Sequence, residues 1–334
     1  MNNKILVGVG IAIVVAAVAT WKALPSSLQS QSQKELPTLR IALNPWIGNG
    51  LYYVADEKGF FKKEGLNVTL TDFADGSVGK QLISTNKIDM VSLTAETVQV
   101  LSDAGTRVKV VAVTDTSDGA DGIIADSTIN TLQDLRGKTV AYETGSPSHL
   151  LLSYLLDQQG MTTKDVKTVN QVAPDAGASF MAGKVDAAVT WEPWLSKAKD
   201  RKGGRLIAST KNLNLLPAIP IFRADVVDQR PEDVKKFLRA IFMAEEYIAQ
   251  NPNESYGIIA RRFSIKVSDV TDQIGTFRWL GLKDNLAYFD QNTPDNIYSL
   301  IDRAGDLWLK LGLIRTKTDA ASIVDPGVVN NLNF

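Results

Sequence analysis

The side chains best suited to chemistry in this chain stand in loops that follow predicted strands. These loops combine indole, carboxylate and hydroxyl groups, among them Trp46, Thr94, Glu96, Trp191 and Glu192. Ligands of open α/β sheets bind at the carboxyl ends of the strands, so such loops are placed to meet one. Carboxylates and indole rings together attract an ammonium or guanidinium group. Each tryptophan could instead cover the end of its own sheet, which is how we interpret Trp194.

Small and polar residues at the starts of predicted helices form a second set of candidates. Free backbone N–H groups at helix starts attract an oxyanion, although ordinary capping favours the same residue types. No Lys or Arg stands in the candidate loops to support an anion, so the carboxylates tip the balance towards a positively charged ligand group. Together the two sets predict these ligand-binding residues: Trp46, Asn49, Gly76, Ser77, Thr94, Glu96, Asp118, Asp121, Glu143, Ser146, Ser148, Asp175, Trp191 and Glu192.

No catalytic, metal or cofactor site emerges from the sequence. The chain has no Cys, which excludes thiolate nucleophiles, disulfides and zinc–thiolate sites. Its single histidine, His149, argues against a Ser-His-Asp triad, and we expect it at the surface or as a helix cap. Asp118 and Asp121 have no nucleophile to serve, and glycine-rich phosphate motifs are absent. We therefore predict a binding protein without catalytic residues, metal or cofactor.

One short sequence occurs twice and predicts two lobes. Asn86-Lys87-Ile88-Asp89 and Gly183-Lys184-Val185-Asp186 each end a helix, make a turn and lead into a short apolar strand. Strands and helices alternate around both copies, which predicts a doubly wound, mostly parallel sheet in each lobe with helices on both faces. Because polar loops follow both repeated strands, we expect a ligand cleft between the lobes.

The chain divides into five predicted segments. An uncharged apolar run follows Lys4, which is typical of an export signal or, if it is not cleaved, of a membrane anchor. The predicted segments are 1–21 as signal peptide or N-terminal anchor, 22–37 as polar linker, 38–120 and 222–334 as lobe I, and 121–221 as lobe II. Two crossings between the lobes would form a hinge. The 36 Lys and Arg nearly balance the 37 Asp and Glu, so bulk charge attracts no nucleic acid.

Several segments carry a resemblance to a known family. They are Asn44-Pro45-Trp46-Ile47-Gly48, the run from Tyr53 to Leu66, Gly137 to Ala141, Gly145 to His149, and Ala187 to Trp194. With them, residues 38–315 resemble the periplasmic substrate-binding proteins of ABC importers for nitrate, sulfonate and taurine-type solutes. The resemblance implies a two-lobed periplasmic-binding-protein (Venus flytrap) fold that closes by a hinge. It also implies delivery of the bound solute to a membrane permease. The chain departs from many members in having no lipidated cysteine, so a tether would be its N-terminal helix.

The resemblance thus predicts the extracytoplasmic solute-binding component of an ABC importer. Its solute would be of the nitrate, sulfonate or taurine type, or a small guanidinium or amine compound, held between Trp46 and Trp191. We expect a monomer in the periplasm or on the outer face of the cytoplasmic membrane, with no nucleic-acid partner. Two alternatives stay open: a membrane-anchored solute-sensing domain, and a thiamine-pyrimidine-synthase-like enzyme of the same fold. Zero Cys and one His count against the enzyme.

Overall fold

The computed structural model describes residues 36–199 and 201–333, and the structural statements below concern these residues. The predicted export signal or anchor and most of the polar linker lie outside them. Within the described part of the chain, no helix is both long and apolar enough to cross a membrane.

Strands and helices alternate along the described chain. The strands are β1 (Thr38–Leu43), β2 (Asn67–Asp72), β3 (Met90–Thr94), β4 (Val108–Val110), β5 (Asp115–Ser117), β6 (Asp121–Asp126), β7 (Thr139–Tyr142), β8 (Lys167–Asn170), β9 (Ala187–Trp191), β10 (Gly204–Ser209), β11 (Pro217–Arg223) and β12 (Phe277–Trp279). The helices are α1 (Gly50–Glu57), α2 (Phe60–Lys63), α3 (Gly76–Ser84), α4 (Thr97–Asp103), α5 (Pro147–Asp157), α6 (Ala173–Met181), α7 (Trp194–Lys199), α8 (Ala224–Gln229), α9 (Pro231–Gln250), α10 (Pro252–Phe263), α11 (Val267–Ile274), α12 (Leu282–Tyr288), α13 (Ile297–Leu311), α14 (Ala320–Ile323) and α15 (Pro326–Asn330).

The strands form two separate sheets with helices on both faces, which confirms the predicted α/β class. The first sheet has the order β12-β5-β11-β3-β1-β2, with β4 also paired to β11, and the second has the order β10-β6-β9-β7-β8. The sheets are mixed rather than mostly parallel. Strand β11 runs antiparallel to β3, β4 and β5, and β6 runs antiparallel to β9 and β10. These strands stand where the chain leaves or rejoins a sheet, so they do not belong to the parallel βαβ units that the sequence pattern indicates.

The chain passes between the sheets twice. It leaves the first sheet after β5, enters the second at β6, and rejoins the first at β11. The predicted change of lobe at 121 coincides with the start of β6. The predicted return at 222 falls inside β11, so the chain is already back in the first sheet by Pro217. The lobe boundaries themselves remain a prediction.

The repeated turn has the same structural role in each sheet. The Asp89 carboxylate accepts the backbone N–H of Arg40 at 2.9 Å, and the Asp186 carboxylate accepts that of Thr139 at 2.8 Å. Arg40 lies in β1 and Thr139 in β7, the strands that run parallel to β3 and β9. Each aspartate thus fixes the start of the neighbouring strand. The repeated turn therefore stabilises each sheet at the amino ends of its strands.

Replacing Asp89 with Ala is expected to lower the free energy of unfolding by about 3 kcal/mol, because the Arg223 guanidinium loses its buried partner. Asp89 is 3% exposed and pairs with Arg40 at 2.6 Å and with Arg223 at 3.6 Å. Urea denaturation measures the loss. The matched control is Asp225→Ala, which removes the exposed partner of the same arginine and should cost less than about 1 kcal/mol. Equal losses from both variants would contradict this account of Asp89.

Helix α13 contributes to the hydrophobic cores of both sheets. Its first half buries Ile297, Leu300 and Ile301 in the core of the first sheet. Its second half buries Ala304 and Trp308 in the core of the second. A single helix therefore joins the two cores behind the space between the sheets.

Candidate functional site

A cavity lies between the two sheets at the carboxyl ends of four parallel strands. Its wall contains Trp46 after β1, Thr94 at the end of β3, Glu143 after β7 and Trp191 at the end of β9. The enclosed space that the centres of water-sized molecules can occupy is about 60 Å³. Space of this kind at strand ends holds small-molecule ligands in open α/β proteins.

The two tryptophans of the wall differ in how the protein holds them. Trp46 Nε1 donates to Asp115 Oδ1 at 2.8 Å, and the ring packs edge-on against Phe277. Trp191 packs edge-on against Trp194, and its Nε1 is buried with no partner among the described residues. Trp46 is thus oriented by the protein, whereas Trp191 keeps a free donor. Trp194 does not belong to the cavity wall.

Gly48 permits the contact between Trp46 and Asp115. A Cβ atom at Gly48 would stand 2.8 Å from Asp115 Cγ and closer still to Trp46 Nε1. The carbonyl of Gly48 accepts the indole N–H of Trp279 at 2.8 Å, which holds the backbone in this position. The motif around Trp46 therefore needs a residue without a side chain here.

Two buried aspartates make the cavity acidic. Asp115 is 1% exposed and Asp121 is 6% exposed. Burial raises the pKa of each carboxyl to about 7. The neighbouring carboxylates act in the same direction, Asp121 on Asp115 and both Glu96 and Glu192 on Asp121, whereas hydrogen bonds from Trp46 and Thr114 to Asp115 and from Ser117 to Asp121 partly offset the rise. The two groups therefore titrate around neutral pH.

Further charges complete the wall. Burial raises the pKa of Glu143, whereas hydrogen bonding to Ser77 lowers the pKa of Asp75. Lys80 on α3 is the one cation among the described lining residues. Four carboxyl groups against one lysine give the cavity a negative field whenever the carboxyls are ionised.

Three helices also begin at the cavity. Gly76 of α3, Pro147 of α5 and Pro174 of α6 all line it. The Asp75 carboxylate already accepts the Ser77 N–H at the start of α3, while Ser146 turns its hydroxyl to the Glu143 carbonyl. The starts of α5 and α6 thus favour an acceptor group on the ligand, on the side of the second sheet.

The structure brings half of the predicted binding residues together on the cavity wall. These seven are Trp46, Gly76, Thr94, Asp121, Glu143, Ser146 and Trp191. Their contact with a ligand stays a prediction. The other seven lie off the wall, contrary to expectation: Asn49, Ser77, Glu96, Asp118, Ser148, Asp175 and Glu192.

Three of these displaced residues support the wall from behind. Asn49 is fully buried, donates to Asn44 and accepts from the Ser92 hydroxyl at 2.8 Å. Glu96 accepts from the Thr94 hydroxyl at 2.7 Å. Glu192 accepts the backbone N–H and the hydroxyl of Ser196 at the start of α7. Local hydrogen bonds therefore turn these side chains away from the cavity.

The remaining four are engaged or exposed elsewhere. Asp118 pairs with Lys211 at 2.8 Å. Ser77 and Asp175 are exposed on the first turns of α3 and α6, and Ser148 is buried within α5. A residue in the right loop can thus still face solvent or the core, because its position within the turn decides its direction.

Two residues that line the cavity, Asp115 and Lys80, were not among the predicted binding residues. Asp115 follows the apolar run from Val108 to Val113, and this position after a strand could have identified it. Lys80 stands inside α3 rather than in a loop, and its long side chain reaches the cavity. The sequence prediction considered Lys and Arg only in the loops, and it therefore missed a lysine that reaches the cavity from a helix.

His149 is buried rather than exposed, which corrects the expected surface position. It is 4% exposed, and its ring lies between those of Tyr142 and Trp308. Burial lowers the pKa of its imidazole to about 4, so the ring is neutral at physiological pH.

Two α/β sheets around a cleft are the architecture of periplasmic binding proteins. The structure of the periplasmic aliphatic sulphonate binding protein SsuA from Escherichia coli superposes with a TM-score of 0.73 at 20% identity. The match covers 88% of this chain and 99% of SsuA. The nitrate-binding protein NrtA from Synechocystis gives the same TM-score at 17% identity, covering 89% of this chain and 88% of NrtA. The predicted fold is confirmed.

The chain belongs to the family described as NMT1/THI5 like, whose model matches residues 48–255. A relative from Bacillus subtilis, assigned as an aliphatic sulfonates-binding protein, is 26% identical over 324 residues, which cover 95% of this chain and 94% of the relative. The predicted resemblance to sulfonate-, taurine- and nitrate-binding proteins is thereby confirmed.

Proposed function

We propose that this chain is the extracytoplasmic solute-binding component of an ABC importer and that its solute carries a positively charged nitrogen group. Family membership and a binding-protein relative that matches nearly the whole chain support the first part. The relatives' sulfonate, taurine and nitrate ligands do not fix the solute of this chain, because ligand charge depends on the residues of the cleft.

The charge that we assign to the solute rests on one observation: Asp115 and Asp121 are buried in the cavity between Trp46 and Trp191. A buried carboxylate without a cationic partner is costly, so an arriving cation is stabilised by both groups. The indole faces add a favourable cation–π contribution. An anion would face Asp75, Asp115, Asp121 and Glu143, and among the described lining residues only Lys80 and the starts of α5 and α6 would favour it.

Capture follows from the placement of these groups on two sheets. The solute-free protein is mainly in the closed arrangement of this structure and opens transiently. The solute binds first to Trp46 and Asp115 of the first sheet in this open form. Closure at the two crossings then brings Asp121, Glu143 and Trp191 over it. Water leaves the cleft, which strengthens the attraction between the cation and the carboxylates. No covalent step is involved.

The closed form delivers the solute to a membrane permease, and the protein acts as a monomer outside the cytoplasm without binding nucleic acid. The N-terminal segment serves as export signal or anchor. A sensing role would use the same cleft, whereas zero Cys and one His count against a pyrimidine-synthase role.

Titration calorimetry with methylguanidine, ethylamine, taurine, nitrate and ethanesulfonate tests the proposal. We expect a compound with a cationic nitrogen to bind at least about 100-fold more tightly than nitrate or ethanesulfonate, a difference of about 2.7 kcal/mol. Binding of nitrate or ethanesulfonate, with no binding of the compounds that carry a cationic nitrogen, would contradict the assigned charge. Uptake of the bound compound by cells lacking the gene separates transport from sensing: unchanged uptake would contradict the importer role.

A further inference from the structure

We propose that His149 and Trp308, which lie outside the cavity wall, are positioning residues that hold the second-sheet wall of the cleft against the first sheet. The inference rests on the proposed closing of the cleft, but it concerns contacts that exist without any solute. Its consequence is that the cleft closes fully only while the two rings are stacked.

Trp308 reaches from the first sheet's core to the second. The helix that carries it, α13, anchors its first half through Ile297 and Ile301 in the first core. Trp308 itself is fully buried in the second core. The helix therefore places the Trp308 ring against elements of the second sheet. Because α13 is anchored in the first core, the ring moves with the first sheet.

The polar end of Trp308 stays on the first sheet's side of the cleft. Its Nε1 donates to the backbone carbonyl of Glu96 at 3.3 Å. Glu96 stands in the loop after β3, between Thr94 and Thr97, and both threonines line the cavity. The indole is thus fixed directly behind one wall of the cleft.

The face of Trp308 contacts the second sheet through His149. The two ring centroids are 5.3 Å apart, and the far side of the imidazole meets Tyr142 of β7 at 5.0 Å. The imidazole Nδ1 accepts the backbone N–H of Gly145 at 3.1 Å. Gly145 lines the cavity at a φ of +71°, a conformation that favours glycine. His149 therefore links a cavity-wall loop of the second sheet to a ring held by the first.

The contact has the character of an interface that separates. His149 Nε2 and the hydroxyls of Ser148 and Ser153 on the same helix are buried with no partner among the described residues. Permanent cores rarely leave such groups unpaired. Opening of the cleft would give all three access to water, so stacking of the rings and hydration of these groups favour opposite states of the cleft.

The single histidine of the chain allows a test without solute. In the closed arrangement burial keeps the pKa of His149 at about 4, and proton NMR of its imidazole reads the titration without ambiguity. Trp308→Ala is expected to raise this pKa towards the ordinary value of about 6.5, whereas Trp308→Phe, which keeps a ring, leaves it low. Leu309→Ala, an exposed neighbour on α13, is the matched control and should change nothing.

Closure is measured by spin labels on the two repeated turns. Lys87→Cys and Lys184→Cys place one label beside each sheet, at exposed positions of a chain that has no other cysteine. In the solute-free protein, Trp308→Ala should shift the distance distribution from the separation in this structure to longer values. An unchanged distribution, or a His149 pKa near 6.5 in the unaltered protein, would overturn the proposal.

A second variant tests the same contact if Trp308→Ala does not fold. His149→Phe retains a ring against Trp308 but cannot accept the Gly145 N–H. Amide exchange at residues 144–146 is expected to rise at least about tenfold. Unchanged exchange would overturn the linking role of His149. None of these readouts uses a solute, so their failure is distinct from failure of the calorimetric panel.

Discussion

Asp121→Asn is expected to weaken the binding of a cationic solute such as methylguanidine about 100-fold, or about 2.7 kcal/mol. The substitution keeps the shape of the side chain and removes the charge from a group that is 6% exposed on the cavity wall. A buried, hydrogen-bonded charge pair typically loses 2–5 kcal/mol when one partner is removed, so about 100-fold lies at the lower end of that range. Titration calorimetry of the variant and the unaltered protein gives the ratio of dissociation constants.

Asp118→Asn is the matched control for this experiment. Asp118 lies close to Asp121 in the sequence, but it pairs with Lys211 outside the cavity wall. Its substitution should leave the dissociation constant within about twofold, because exposed ion pairs contribute little. A loss of affinity in Asp118→Asn, or none in Asp121→Asn, would contradict the assignment of the acidic wall.

The affinity for a cation is expected to fall as the pH drops through 7. In the empty cleft, burial holds the pKa values of Asp115 and Asp121 at about 7, so protons occupy the carboxyls below that pH. A bound cation favours the ionised form, and binding therefore releases protons. The dissociation constant should be at least about tenfold larger at about pH 6 than at about pH 8. Calorimetry at these two values measures the ratio.

The stability of the empty protein should change in the opposite direction. Because the folded-state pKa values of Asp115 and Asp121 are raised, the folded protein binds more protons than the unfolded chain between about pH 4 and 7. These two groups therefore stabilise the empty fold as the pH falls through 7, while the same protonation weakens cation binding. In Asp121→Asn both dependences should flatten. A pH-independent dissociation constant in the unaltered protein would contradict the role of the two carboxyls.

The sequence predicts elements accurately where the signals are local. Pro231-Glu232-Asp233 places proline and acidic residues in the first turn of α9, and β7 is an apolar segment after Gly137. The same local signals place the tryptophans of the cleft, because Trp46 lies in the loop after β1 and Trp191 ends β9. These features depend on residues within one turn or strand, which the sequence states directly.

The repeated turn shows where such reasoning stops. Its two copies correctly indicate two sheets, yet Asp89 and Asp186 accept hydrogen bonds at the amino ends of the neighbouring strands, away from the cleft. Glu192 stands in a cleft loop and caps α7. The direction of a side chain within a turn depends on partners that are distant in sequence.

By itself, the sequence determined that two α/β units bracket a cleft edged by tryptophans, and that no thiol or histidine cluster performs catalysis there. Only the tertiary structure decided that Asp115 and Asp121 share one buried space, that Lys80 is the cation beside them, and that Trp308 stacks on His149 behind the wall. Periodicity and turn chemistry act over a few residues. The burial that raises a carboxyl pKa to about 7 arises only when two sheets meet.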